Sequence, residues 1–178
     1  MNNLPIHLAI CLTMTILGCS STLQQFKPAT TNSDPRISSI TNNRDTYGST
    51  RLEYKSYSEL RSELNKKAET QLWAQQEITN QKAILPVGGE LIVYIQRITI
   101  GAANTKWFTV IVKDEGTEIV REKGEESVPD YFVLLDETIW WNLMIVDLPS
   151  HSEHFTVYVV DALLNKRHEF SIDEVSLQ

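Results

Sequence analysis

Residues 155–173 read FTVYVVDALLNKRHEFSID. Phe155, Val157 and Val159 alternate with Thr156 and Tyr158, the period of two that lays one apolar row along one face of a strand. After a short connection over Asp161–Asn165, Phe170 and Ile172 repeat the alternation. A helix would need apolar residues every three to four positions, so the stretch predicts two adjacent strands.

The same period extends upstream. Leu91–Ile100, Trp107–Lys113, Glu118–Glu122, Tyr131–Leu135 and Ile139–Val146 read as strands, joining Phe155–Val160 and His168–Ile172. Gly101, Gly116, Gly124, Pro129 and Pro149 fall in the breaks, where turns require them. About seven short strands after residue 87 predict a mainly β fold, an antiparallel β-sandwich that is immunoglobulin-like or C2-like in outline. No Cys…Trp…Cys spacing accompanies it, so that likeness is one of architecture alone. The predicted sandwich domain is 87–178.

Before it, residues 53–86 predict one amphipathic helix. Ser56-Tyr57-Ser58-Glu59 fits a capping box, and Leu60, Leu64, Ala68 and Leu72 recur every fourth residue as a narrow stripe toward Asn80. Lys67, Gln71 and Gln75 occupy the seam positions of a heptad and exclude a coiled coil. The stripe fits either the following domain or a partner's groove.

Residues 19–52 are rich in Ser, Thr, Asn and Gln, with Pro28 and Pro35. Few apolar residues stand there to offset chain entropy, so the segment is expected to be a disordered tether. A flexible chain of about 32 residues reaches roughly 30 Å.

The N-terminus reads MNNLPIHLAICLTMTILGCSS. Its apolar run, Leu8–Leu17, is shorter than the ~20 residues of a membrane span and fits the apolar centre of a secretory signal peptide. Ile16-Leu17-Gly18-Cys19 resembles the lipobox of bacterial lipoproteins. That resemblance implies a signal peptide over 1–18, cleavage after Gly18, and lipid attachment at Cys19. The membrane-lipid partner would be reached through acylated Cys19, since two or more acyl chains anchor stably. Ser20 resembles the sorting residue of outer-membrane lipoproteins, implying the periplasmic face of that membrane. Cys11 follows Ile10 rather than a small residue, so it reads as part of the apolar run. No cysteine follows Cys19, which excludes a disulfide framework and a CxxC site.

The formal net charge is −7 over 178 residues, and the acidity lies after residue 51. Such a surface repels phosphate backbones, so no nucleic-acid partner is expected. No GxSxG, HExxH, P-loop or GxGxxG motif occurs, so no catalytic residue and no cofactor is implied. His151 and His154, with His168 on the adjoining strand, are the weak candidates for a metal and for a metal-dependent enzyme. The acidic residues from Asp114 to Asp130 are interleaved with Arg121 and Lys123, which suits solvated turns better than a calcium loop. In the strand around Trp140-Trp141, a core row of Trp141, Leu143 and Ile145 would send Trp140 and Asn142 outward, beside Tyr158. Trp140, Asn142 and Tyr158 are therefore the candidate binding face, unless the Ser56 helix covers Trp140. The expected function is a non-catalytic binding or assembly module with an envelope protein partner, recognised at a sheet edge or at Trp140.

Overall fold

Two five-stranded antiparallel sheets pack face to face in the computed structural model, which describes residues 34–41, 44–45 and 47–174. The first sheet runs, in spatial order, β1 (Ile37–Ser39), β10 (Lys166–Asp173), β9 (His154–Asp161), β5 (Phe108–Asp114) and β6 (Thr117–Lys123). The second runs β2 (Arg44–Asp45), β3 (Gly48–Lys55), β4 (Glu90–Arg97), β8 (Glu137–Asp147) and β7 (Asp130–Leu134). The expected signal peptide 1–18, the expected lipid-attachment residue Cys19 and the first part of the expected tether lie outside the described residues.

Alternation drives the packing. On β9 and β10, Phe155, Val157, Val159, Phe170 and Ile172 are buried, while Thr156, Tyr158 and Glu169 face away. Phe108, Val110 and Val112 of β5 join them against Leu52 and Tyr54 of β3, Leu91, Val93 and Ile95 of β4, and Met144 and Val146 of β8. Each such side chain contributes about 1.5–3 kcal/mol on full burial, which is what holds the two sheets together. The predicted antiparallel sandwich, with all seven of its strands, is present.

The folded part begins earlier than residue 87. β1, β2 and β3 as far as Leu52 come from the stretch assigned to a tether, and Glu53–Lys55 of β3 from the one assigned to the helix; β3 pairs with β4 along its whole length. Thr50, Leu52 and Tyr54 carry the alternation there, but their outward neighbours Arg51, Glu53 and Lys55 gave the segment a polar composition. Composition over a long window hid a local period of two.

The single helix is two. α1 (Tyr57–Gln71) starts at the expected capping box, where the Glu59 N–H donates to Ser56 Oγ and the Ser56 N–H donates to Glu59 Oε2. It ends at Leu72, which adopts a left-handed backbone (φ 55°) and is 89% exposed. Residues four apart advance about 40° around a helix, so a strict i+4 stripe drifts about 120° by its fourth member. Leu60 and Ala68 are buried accordingly, whereas Leu72 has left the packed face. α2 (Gln75–Ala83) follows.

Two clamps fix the ends of the sandwich. Arg97 of β4 donates to Asp161 Oδ2 of β9 at 2.7 Å, with side chains 3% and 1% exposed. The same guanidinium donates to the carbonyls of Ser49 (2.9 Å) and Gln96 (2.7 Å), and Asp161 Oδ1 accepts the N–H groups of Leu163 and Leu164. At the other clamp, Arg36 before β1 binds Asp34 (2.8 Å), Glu59 of α1 (2.8 Å) and the Tyr54 carbonyl (2.8 Å). Burial raises the Asp34 and Glu59 carboxyls, but the hydrogen bonds and charge of Arg36 outweigh it and hold both below the usual carboxylate range.

Candidate functional site

An open sheet edge is a row of backbone donors and acceptors awaiting a strand, and proteins ordinarily blunt it. Among the described residues, three of the four outer strands carry such devices. β1 is three residues long and β2 is two. β6 is longer, but its register slips against β5 between Val112 and Lys113, and Glu118, Arg121, Glu122 and Lys123 crowd it with charge. Arg121 donates to Glu118 along that strand at 2.7 Å.

β7 has none of these devices. Its sequence continues into Tyr131-Phe132-Val133-Leu134-Leu135, five apolar residues in a row with no lysine or arginine beside them. Among the described strands it pairs with β8, in the register Tyr131↔Trp140, Phe132↔Ile139 and Val133↔Thr138. Tyr131 (58%), Val133 (62%) and Leu135 (91%) are exposed, as is Leu134. The hairpin turns at Leu135 and Asp136, both left-handed (φ 48° and 67°), as a two-residue turn between twisted strands requires.

The hairpin projects. β4 ends at Arg97, opposite Trp140, so Glu137–Ile139 of β8 and their partners on β7 extend past the rest of the sheet. Its base is rigid. Gly48, Arg97, Trp140 and Tyr131 form one row across four strands, which ties β7 to the buried Arg97–Asp161 pair. The Tyr131 and Trp140 rings lie 5.2 Å apart, close enough to fix each other's orientation. The entering chain is pinned as well: Asn142 Nδ2 donates to Ser127 Oγ at 2.7 Å, and Ser127 Oγ contacts Thr105 Oγ1 at 2.6 Å. A Cβ on Gly124 would come within 2.1 Å of the Thr105 carbonyl, so only glycine passes there. Beside this base lies an open hollow of about 330 Å3, walled largely by Ile100, Trp107, Val128 and Pro129.

The charge of this region has one sign. From Gly124 to Ser150 there are six carboxylates (Glu125, Glu126, Asp130, Asp136, Glu137 and Asp147) and no Lys, Arg or His. Lys106 answers Glu126 at 2.7 Å. Burial, then the charges of Asp147 and Glu125, push the Glu122 carboxyl above its usual range.

The expected binding face is not assembled as such. The core row of β8 is Met144 and Val146, one position off from Trp141, Leu143 and Ile145; Leu143 and Ile145 are exposed. Trp140 and Asn142 thus point to the inner side of their sheet, at the end where the sandwich opens, and both are half-buried. An apolar run with residues on both faces does not fix its own parity, and the half-buried Ser127 hydroxyl gives Asn142 a partner that the sequence does not reveal. Tyr158 lies on the outer face of the other sheet, with the Arg167 and Lys113 charges over its ring at 5.2 and 5.8 Å. α1 packs along β3, on the far side of β4 from β8, and does not cap Trp140. Between α1 and β3 runs a polar cleft of about 460 Å3 whose charges are largely paired, as Lys55 with Glu63 at 2.9 Å.

The three histidines do not converge either. His151 Nδ1 lies 3.1 Å from Glu174 and His154 Nδ1 lies 2.6 Å from Asp173, both at one end of the β9–β10 pair. His168 is buried opposite Val159, five residues further along β9 from His154, roughly 16 Å in an extended strand. Among the described residues no group of three or more His, Cys, Asp or Glu is placed to hold a metal ion.

The fold is thus an open two-sheet antiparallel β-sandwich with an apolar hairpin projecting from one end of the second sheet. No family model, curated protein or solved structure matches the chain.

Proposed function

We propose that this chain is a lipid-anchored protein of the bacterial envelope that works as a non-catalytic binding or assembly module, with the β7 edge as its recognition element. The observation that carries the binding role is the hairpin tip there: five consecutive apolar residues, Tyr131, Val133, Leu134 and Leu135 of them exposed, on a projecting strand whose base lies in one row with a buried ion pair. Exposed apolar surface on a rigid support has no stabilising role in the isolated fold and is what a protein partner buries. The anchor rests on the resemblance of Ile16–Cys19 to a lipobox and on Ser20, which together favour the periplasmic face of the outer membrane. The alternative, a metal-dependent periplasmic enzyme at His151, His154 and His168, would need those side chains at one point, and they are separated.

Two measurements test the reading. Cys19→Ala should yield an unacylated, uncleaved precursor; unchanged processing and membrane recovery would refute the anchor. A photo-crosslinking residue placed at position 133 in cells should capture an envelope protein, while the same residue at position 117 on β6 should not. Equal capture at both positions would refute the assignment of recognition to β7.

A further inference from the structure

The two outer faces of the sandwich differ in charge, and the difference bears on how the domain sits beside a membrane. On the first sheet the outward positions carry Lys113, Arg121, Lys123 and Arg167 against Glu118 and Glu169. At one end of the same face His154 meets Asp173 at 2.6 Å. On the second sheet the described outward positions carry Glu53, Glu90, Asp130, Glu137 and Asp147 against Arg51 and Lys55. A chain of net charge −7 thus keeps a cationic surplus on one face and a carboxylate surplus on the opposite one. We infer that the outer face of the first sheet docks on the anionic headgroups of a phospholipid bilayer, turning the second sheet and its hairpin away from the membrane. Docking so placed rests on the lipid-anchored reading, which holds the domain beside a bilayer.

Three features favour a bilayer over a small anion or an acidic protein. First, the surplus is spread out. Arg121 pairs with Glu118 at 2.7 Å and Arg167 lies 3.6 Å from Glu169, whereas Lys113 and Lys123 have no ion pair among the described residues. Lys123 lies opposite Thr109, four residues along β5 from Lys113, so the two lysines stand roughly 13 Å apart. One small anion cannot touch both, and neither hollow described above lies on this face; a field of headgroups meets them together. Second, the centre of the face suits the headgroup level. Tyr158 stands there opposite Ile111, with the Arg167 and Lys113 charges 5.2 and 5.8 Å from its ring, and amphipathic tyrosine rings favour membrane interfaces. Third, Asp34, 15 residues after Cys19, leads into β1, the outer strand of this same sheet. An anchor at Cys19 would keep that entry within about 50 Å of the bilayer, where a high effective concentration makes a weak attraction sufficient. An acidic polypeptide would meet the same cations but is not held beside them.

The test uses the full chain, processed in cells and reconstituted with vesicles of phosphatidylcholine alone or mixed with phosphatidylglycerol. A fluorescent residue is placed at position 109 on this face or at position 145 on the opposite one, and a quencher is attached to the lipid headgroups. With phosphatidylglycerol present, quenching at 109 should exceed that at 145 by at least about threefold, and the contrast should fade as salt is raised. Lys113→Glu with Lys123→Glu should abolish the contrast, and the milder Lys113→Gln with Lys123→Gln should reduce it. The matched reversal Arg61→Glu with Lys66→Glu on α1 should leave it unchanged. Equal quenching at the two positions, a contrast that does not need phosphatidylglycerol, or release of position 109 by a polyglutamate peptide would each overturn the inference, the last by assigning the face to an acidic polypeptide. Flotation separates this result from the anchor. A chain that floats with both kinds of vesicle but shows no contrast keeps the anchor and loses the docking face. One that floats only with phosphatidylglycerol keeps the face and loses the anchor, and one that floats with neither loses both.

Discussion

β6 and β7 occupy equivalent places, each the outer strand of an antiparallel hairpin at the end of one sheet, and they are built in opposite ways. β6 is bulged against its neighbour and carries charges of both signs, with Arg121 and Glu118 paired along it. β7 is regular, apolar and flanked by charge of one sign only. Charge and a bulge are the usual devices against edge-to-edge pairing; β6 carries both, whereas β7 is bordered by carboxylates and lacks the bulge. That difference between two equivalent strands is what favours the β7 hairpin in the proposed function, more than any single exposed residue does.

Several changes would break or sharpen that contrast. The largest effect is expected from Asp161→Ala, which strands the buried Arg97 charge; the loss should be about 3–5 kcal/mol in urea unfolding. Because Arg97 lies in one row with Trp140 and Tyr131, both edges should then lose amide protection together rather than β7 alone. Next, Trp140→Ala removes a half-buried ring from the base of the hairpin and should cost about 2 kcal/mol, less than a full core truncation. It should loosen β7 in hydrogen exchange while β6 keeps its protection.

A smaller effect concerns the short β1 edge. Arg36 holds the Asp34 and Glu59 carboxyls below their ordinary range, so their contribution is full above that range and disappears as pH falls through the lowered values. Acid titration of stability should show that slope, worth about 1 kcal/mol or less, and Arg36→Met should flatten it. The smallest change in stability belongs to Val133→Lys, within about 0.5 kcal/mol because the side chain is exposed. A larger loss, measured by thermal unfolding, would mean that β7 supports the fold.

Seven strands were legible because their alternation is local, as in Phe155-Thr156-Val157-Tyr158-Val159. β3 was not, because Arg51, Glu53 and Lys55 make it look like its polar surroundings, although Thr50, Leu52 and Tyr54 alternate between them. The parity of β8 was also hidden: Ile139–Val146 is apolar on both faces, and only the register with β4 and the Asn142–Ser127 hydrogen bond fix which face is inside. For the candidate site, Trp140 was legible as a residue of interest and a sheet edge as a means of recognition. That Tyr131–Leu135 lies at the end of its sheet is a fact of strand order, which depends on contacts distant in sequence and leaves no local signature.

The central claim is the proposal that recognition falls on the β7 hairpin rather than on β6. Photo-crosslinking in cells from position 133 against position 117 tests it most directly. The account predicts capture of an envelope protein from 133 and none from 117. Capture from 117 alone, or equal capture from both, would contradict it.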